Sequence, residues 1–198
     1  LALSDTIAEN VIAMMHRFRE EGTLISFDVN YRASLWSEEK ARETILSVLP
    51  MVDFFFVSEE SSRRMFGMTG THEEIQEQFA KKYPNLRMIA STKRKVITST
   101  RQSFNSLVYD CESGEHFMDA PYDNIDVVDR IGSGDAYVAG ALYGALKYGD
   151  IHSAARYGDA MASVKNTVIG DMTEVDIVDI DRVIKNHTTT GPKSEMVR

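Results

Sequence analysis

Between Val128 and Leu142 the chain reads Val-Asp-Arg-Ile-Gly-Ser-Gly-Asp-Ala-Tyr-Val-Ala-Gly-Ala-Leu, a glycine pair and an acid set just ahead of a run of small residues. Gly132 and Gly134 permit a tight turn that presents backbone N–H groups, and the first amides of a helix attract an anion. A phosphate held there would lie beside Asp135, whose carboxylate could take a proton from an attacking hydroxyl. The same acid has a plainer use. In the first turn of a helix it gains about 0.3–1 kcal/mol from the dipole, and the segment on its own leaves both readings open.

Three other polar clusters carry candidate ligands. In Asp28-Val29-Asn30-Tyr31-Arg32 the guanidinium of Arg32 could pair bidentately with a carboxylate, but it could also be a solvated arginine or a partner for Asp28. Tyr31 and Trp36 read as packing residues. Ser58, at the head of Ser58-Glu59-Glu60-Ser61, either contacts a ligand or caps the helix that follows. Ser91-Thr92-Lys93-Arg94-Lys95 is a basic stretch that could meet phosphates or form a solvated turn. The histidines, at 16, 72, 116, 152 and 187, show no metal-ligand spacing, and Cys111 has no evident activating neighbour.

These residues need elements to hold them. Ser4 caps a predicted helix with Ile7, Val11, Met14, Met15 and Phe18 on one stripe and Gly22 as its stop. Thr23 to Phe27 reads as a strand, and Ser37 caps a second helix with Pro50 just beyond its end. Val52 to Val57, with three consecutive phenylalanines, reads as a strand buried on both faces. A short helix over 59–66 follows, then Thr71-His72-Glu73-Glu74 as the capping box of a helix through Tyr83, then a strand over 86–90. This alternation predicts a parallel sheet with helices on its faces, and it sets the clusters at 28–32, 58–61 and 91–94 at the carboxyl ends of strands, where ligands bind. Residues 96–99, 103–110 and 115–119 read as antiparallel strands, with Glu112-Ser113-Gly114-Glu115 as a hairpin turn. Helices over about 133–148 and 150–168 close the pattern, and Ala154, Gly158 and Ala162 give the second a face for close packing.

A length of 198 residues, 43% hydrophobic and 26% charged, fits one globular domain with a sizeable core. A formal charge of -8 argues against a general nucleic-acid binder. No apolar run approaches the roughly 20 residues of a spanning helix, and no signal-peptide layout is visible, so no membrane partner is expected and the expected location is cytoplasmic. A lone cysteine agrees with a reducing compartment.

The stretch Asp129-Arg130-Ile131-Gly132-Ser133-Gly134-Asp135-Ala136-Tyr137 resembles the second signature of the ribokinase-like, or PfkB-type, carbohydrate kinases, usually Asp-Thr-Thr-Gly-Ala-Gly-Asp-Ala-Phe. The resemblance implies that Asp135 is the catalytic base and that the amides around Gly132, Ser133 and Gly134 hold charge on the transferring phosphoryl group. It also implies ATP and Mg²⁺, and a monovalent cation such as K⁺ near Asp129. Arg130 and Ile131 depart from the usual threonine pair. Phe27-Asp28-Val29-Asn30-Tyr31-Arg32 with Leu35-Trp36-Ser37 resembles the strand end of 2-keto-3-deoxygluconate kinases, which implies that Asp28 and Asn30 bind sugar hydroxyls and that Arg32 pairs with the carboxylate of an acid sugar.

Elsewhere the match loosens. Ser58 and Ser61 stand where the family has Asn-x-x-Glu, and Ser91 to Lys95 replace a Thr-x-Gly-x-x-Gly turn. The resemblance thereby implies Ser58, Ser91 and Lys93 as ATP contacts, with Asp159 bordering the adenine and Gly170-Asp171 in the turn after its helix. The implied fold is a three-layer α/β/α ribokinase-like sheet, mostly parallel with antiparallel strands at one edge. Residues 1–185 would form the C-terminal portion of such a kinase domain, without the N-terminal part and lid, and 186–198 a disordered tail. The expected activity is ATP-dependent phosphorylation of 2-dehydro-3-deoxy-D-gluconate to its 6-phosphate, with homo-oligomers conceivable and this segment inactive alone. A kinase of a neutral sugar such as fructose or ribose, or a non-catalytic nucleotide- or sugar-binding relative, are the alternatives.

Overall fold

The computed structural model describes residues 1–188. The chain falls into two compact units, one made of Leu1–Thr92 with Leu107–Phe117 and the other of Lys93–Ser106 with the described chain from Met118 onward. No linker joins them; two long strands pass from one to the other.

The first unit is built on α1 (Asp5–Glu20), β1 (Ser26–Asp28), α2 (Glu38–Val48), β2 (Phe54–Phe56), α3 (Glu59–Arg64), α4 (His72–Lys82) and the start of β3 (Met88–Thr98). Its helix starts follow from the side chains that satisfy the first free N–H groups. The Ser4 hydroxyl accepts from Ile7 N at 3.2 Å and that of Ser37 from Lys40 N at 3.2 Å. Thr71 and Glu74 complete a reciprocal capping box, Thr71 N donating to Glu74 Oε2 at 2.7 Å and Glu74 N to Thr71 Oγ1 at 3.2 Å. The strands pair in parallel, with Phe27 opposite Phe55 and Phe55 opposite Ile89. Ile45, Val48, Phe55, Ile75, Phe79 and Ile89 are fully enclosed, and each such side chain contributes about 1.5–3 kcal/mol of burial. Buried Asp53 is held by Arg19 at 2.9 and 3.0 Å and by Ile25 N at 2.9 Å, so its charge is matched on all sides.

The second unit contains the outer part of β3, the start of β4 (Arg101–Asp110), β6 (Tyr122–Asp126), α5 (Ser133–Tyr148), α6 (Ile151–Lys165) and α7 (Ile177–Thr188). The end of β4 pairs antiparallel with the short β5 (His116–Phe117) and its beginning with β6. The hydrogen-bonded order is β1-β2-β3-β4-β5, with β6 on β4, a mixed sheet with flanking helices. Helices α5 and α6 pack backbone to backbone: a Cβ on Gly144 would overlap the Ser153 carbonyl. Ala154, Gly158 and Ala162 are fully or nearly enclosed, as their spacing predicts.

Several boundaries differ from the sequence reading. Pro50 does stand just beyond the end of α2, as expected, in a single 3-10 turn, Leu49–Met51, where no N–H is needed. On α1 only Met15 of the apolar stripe is buried, while Ile7, Met14 and Phe18 stay exposed. Strand β3 does not end at Ala90. With no glycine or proline to stop it, and with β-branched Thr92, Val96 and Ile97, the chain continues extended through the basic stretch. Helix α7 carries the chain to Thr188, so a tail beginning at 186 is not observed; residues 189–198 lie outside the described part.

Candidate active site

Gly132 is the N-cap of α5 in a left-handed conformation, φ 76° and ψ 0°. Any side chain there would overlap the Asp171 carbonyl oxygen, so glycine is required twice over. The turn is closed by Ser133 N donating to Arg130 O at 3.2 Å and Ala136 N to Gly132 O at 2.9 Å. No side chain caps the helix. The N–H groups of Gly132, Gly134 and Asp135 consequently have no acceptor among the described residues, and nothing stands within 4 Å of the space a Gly134 Cβ would take. Asp135 is exposed on the first turn beside them. Three free donors at a helix N-terminus are a set of groups able to hold an anion, with a solvent-facing carboxylate able to accept a proton beside them.

What holds this turn is Asp129. Its Oδ1 accepts from Ile131 N at 3.0 Å and its Oδ2 from Gly170 N at 3.0 Å. Those backbone bonds, Ile131 first, hold the carboxyl below the usual carboxylate range. Beneath it Lys165, with no exposed surface, donates from Nζ to Asp129 O at 3.3 Å and to Val168 O at 3.1 Å. A free monovalent cation beside Asp129 therefore does not fit these residues: each carboxylate oxygen already accepts a backbone N–H, and the carbonyls of Asp129 and Val168 already face the Lys165 ammonium. Lys165 was absent from the sequence reading, where a lysine in the last turn of a helix looks like an ordinary dipole partner. The signal was its place, three residues after Ala162 on the face of Ala154, Gly158 and Ala162.

Asp159 departs from its expected role. It has no exposed surface and cannot border a nucleotide; its Oδ2 accepts from Ser106 N at 3.3 Å within the second unit. Burial pushes its pKa up to about 7. The resemblance places Asp159 beside the adenine, whereas α6 turns this residue onto its packed face.

In the first unit the candidate ligands stand at the carboxyl end of β1. Asp28 ends the strand and its Oδ1 accepts from Asn30 N at 3.3 Å. Asn30 is in the left-handed region with φ 33°, which asparagine tolerates better than most residues. Tyr31 OH donates to Trp36 O at 3.2 Å, and both rings pack against the core, as expected. Arg32 is exposed and, among the described residues, its guanidinium makes no hydrogen bond or ion pair; it does not pair with Asp28.

The two clusters expected at the next strand ends fare differently. Ser58 acts as the N-cap of α3: its hydroxyl accepts from Ser61 N at 3.0 Å and donates to Ser61 Oγ at 2.9 Å. Glu59 and Glu60 bind Arg63 and Arg64 of the same helix. Ser91 and Lys93 do not lie in a turn after a strand, since both are inside β3. Ser91 is buried within hydrogen-bonding reach of Gln76 Nε2 at 3.4 Å, and Lys93 is exposed. Among the described residues no group of three or more His, Cys, Asp and Glu side chains could hold a metal ion, and no helix is long and apolar enough to cross a membrane.

The chain has relatives among known proteins. The family model of the pfkB family carbohydrate kinases matches residues 2–177. The chain belongs to this family. Among its pfkB relatives, a 2-dehydro-3-deoxygalactonokinase of Haloferax volcanii is 29% identical over 184 residues, covering 93% of this chain and 54% of the relative. A 2-dehydro-3-deoxygluconokinase of Bacillus subtilis is 28% identical over 173 residues, 86% of this chain and 49% of the relative. The crystal structure of 2-dehydro-3-deoxygluconokinase from Thermotoga maritima superposes with a TM-score of 0.86 at 26% identity, covering 93% of this chain and 56% of that one. The ribokinase-like fold is thus shared, while the chain spans about half the length of the curated pfkB relatives it matches.

Proposed function

We propose that the protein carrying this chain transfers the γ-phosphoryl group of ATP to a hydroxyl of a 2-keto-3-deoxy sugar acid, with 2-dehydro-3-deoxy-D-gluconate giving its 6-phosphate as the leading case. The observation that carries this reading is Asp135 exposed beside three N–H groups without acceptors. Asp135 takes the proton of the attacking hydroxyl as its oxygen bonds to phosphorus and the bond to the ADP oxygen breaks. Negative charge on the phosphoryl oxygens is met by the N–H groups of Gly132, Gly134 and Asp135, aligned before the reaction begins and needing no reorganisation. A divalent ion bound with the nucleotide supplies further neutralisation of the phosphates. ATP as the donor accords with a cytoplasmic setting.

The acid-sugar assignment is supported by Arg32, an exposed guanidinium without an internal partner, next to Asp28 and Asn30, which offer hydroxyl-binding groups. It is also supported by relatives named for 2-keto-3-deoxy acids differing at one hydroxyl-bearing carbon. ADP release by the full-length protein with 2-dehydro-3-deoxy-D-gluconate, its galactonate epimer, fructose and ribose tests this. The acids should lead by about 10-fold or more in kcat/KM, the effect of one charged hydrogen-bonded pair. A preference for fructose or ribose would sink the acid-sugar assignment, and no transfer to any of them would favour a non-catalytic binding protein.

A further inference from the structure

We infer that the ammonium of Lys165 is a tethered cation that organises the phosphate-binding turn, so that this protein has no requirement for a free monovalent cation. The inference rests on the proposed phosphotransfer only for its kinetic arm. A lysine with no exposed surface is uncommon, and a buried charge normally sits against a carboxylate. Here no carboxylate lies within ion-pair range among the described residues. The ammonium instead faces two main-chain carbonyl oxygens, Asp129 O at 3.3 Å and Val168 O at 3.1 Å. Carbonyl oxygens from two loops are the ligands that a bare potassium or ammonium ion would receive.

The two carbonyls belong to segments already clipped together. Asp129 Oδ2 accepts from Gly170 N at 3.0 Å, and Gly132 lies so close to the Asp171 carbonyl that no side chain could intervene. Lys165 closes the same junction from below. It orients the carbonyl of Asp129, the residue whose carboxylate fixes Ile131 N and so starts the turn leading to the free N–H groups. Lys165 touches no reacting atom in this scheme and is a positioning residue. A free ion would compete for carbonyls already occupied, against a charge held in place by its own helix.

The test uses the full-length protein in potassium and in tetramethylammonium salts at matched ionic strength, following both thermal melting and phosphotransfer. For the natural protein, replacing potassium should change the rate by less than about 2-fold and leave the melting midpoint within about 1 °C. Lys165→Met, which keeps the length but removes the charge, should melt lower and transfer more slowly in tetramethylammonium. Potassium or ammonium ions should recover part of both losses, a rescue that a merely space-filling lysine would not show. Activation of the natural protein by potassium of about 10-fold or more, or a potassium-specific rise of several degrees in its melting point, would overturn the proposal. So would Lys165→Met with unchanged melting and rate, or losses that neither ion relieves. Should that variant fail to fold, the natural protein's response to potassium decides alone. Potassium-independent melting with no transfer to any sugar would count against the kinase reading and leave the tethered cation standing.

Discussion

The loop after β1 and the turn before α5 are both short, polar and placed at the end of a secondary-structure element, yet they are held very differently. The turn is over-determined: Asp129 accepts from two backbone N–H groups, Gly132 fits against Asp171, and Lys165 grips two carbonyls. The loop is held more lightly, by Val29 N to Phe56 O, Asn30 N to Asp28 Oδ1, Leu35 N to Arg32 O and the anchor from Tyr31 to Trp36, and it carries an arginine whose guanidinium has no partner among the described residues. Charge stabilisation demands donors fixed beforehand, since every ångström of drift weakens them. Substrate selection demands groups left free to be satisfied by the ligand. The contrast is the one expected if the turn is the phosphate site and the loop the sugar site proposed above.

Removing the proposed base should break the comparison most completely. Asp135→Asn in the full-length protein is expected to lower kcat by about 10²–10⁴-fold, with ATP affinity by calorimetry little changed. A loss confined to KM would show that Asp135 binds and does not accept the proton. Next comes the rigidity of the turn: Gly132→Ala needs a side chain at φ 76° and overlaps the Asp171 carbonyl, so chemical denaturation should reveal a loss of about 2–4 kcal/mol. An unchanged midpoint would mean that the turn is as pliable as the loop.

The loop should answer in the opposite way. Arg32→Ala is expected to raise KM for the acid sugar by about 10–100-fold, leaving neutral-sugar turnover alone and stability within about 0.5 kcal/mol. A drop in melting temperature with no KM effect would make Arg32 structural. The effect seen only as a slope against pH concerns Asp159. Its folded pKa of about 7 exceeds the ordinary carboxylate value of about 4, so the folded state holds the extra proton between them. Stability should fall as pH rises through that window, by at most about 1.4 kcal/mol per pH unit. Asp159→Asn should flatten this slope in denaturant midpoints taken across the range, and a parallel slope in the variant would refute the burial argument.

Local rules made much of the first unit legible. Ser4, Ser37 and the Thr71–Glu74 box are short-range hydrogen-bonding signals, and each caps the helix it heads. The phenylalanine run reads as a doubly buried strand because only a parallel interior tolerates it. Where boundaries slipped, the signal was permissive. Ser91 to Lys95 is polar enough for a turn but contains nothing that forbids a strand, and pairing within the sheet decided the matter. Helix α7 escaped notice although Ile177, Ile180 and Ile184 repeat at helical spacing, because its other positions are mostly polar.

The glycine turn, the acid after it, the caps and the alternation of strand and helix were determined by the sequence alone. Each depends on residues within about four positions of one another, and backbone sterics and local hydrogen bonds act at that range. Tertiary structure alone decided that Asp159 is sealed inside the second unit, that Asp129 Oδ2 accepts from Gly170 N, and that Lys165 lies beneath the turn. Those outcomes join residues some 36 to 53 positions apart. A buried charge takes its meaning from the partners that packing brings to it, and no spacing along the chain names those partners in advance.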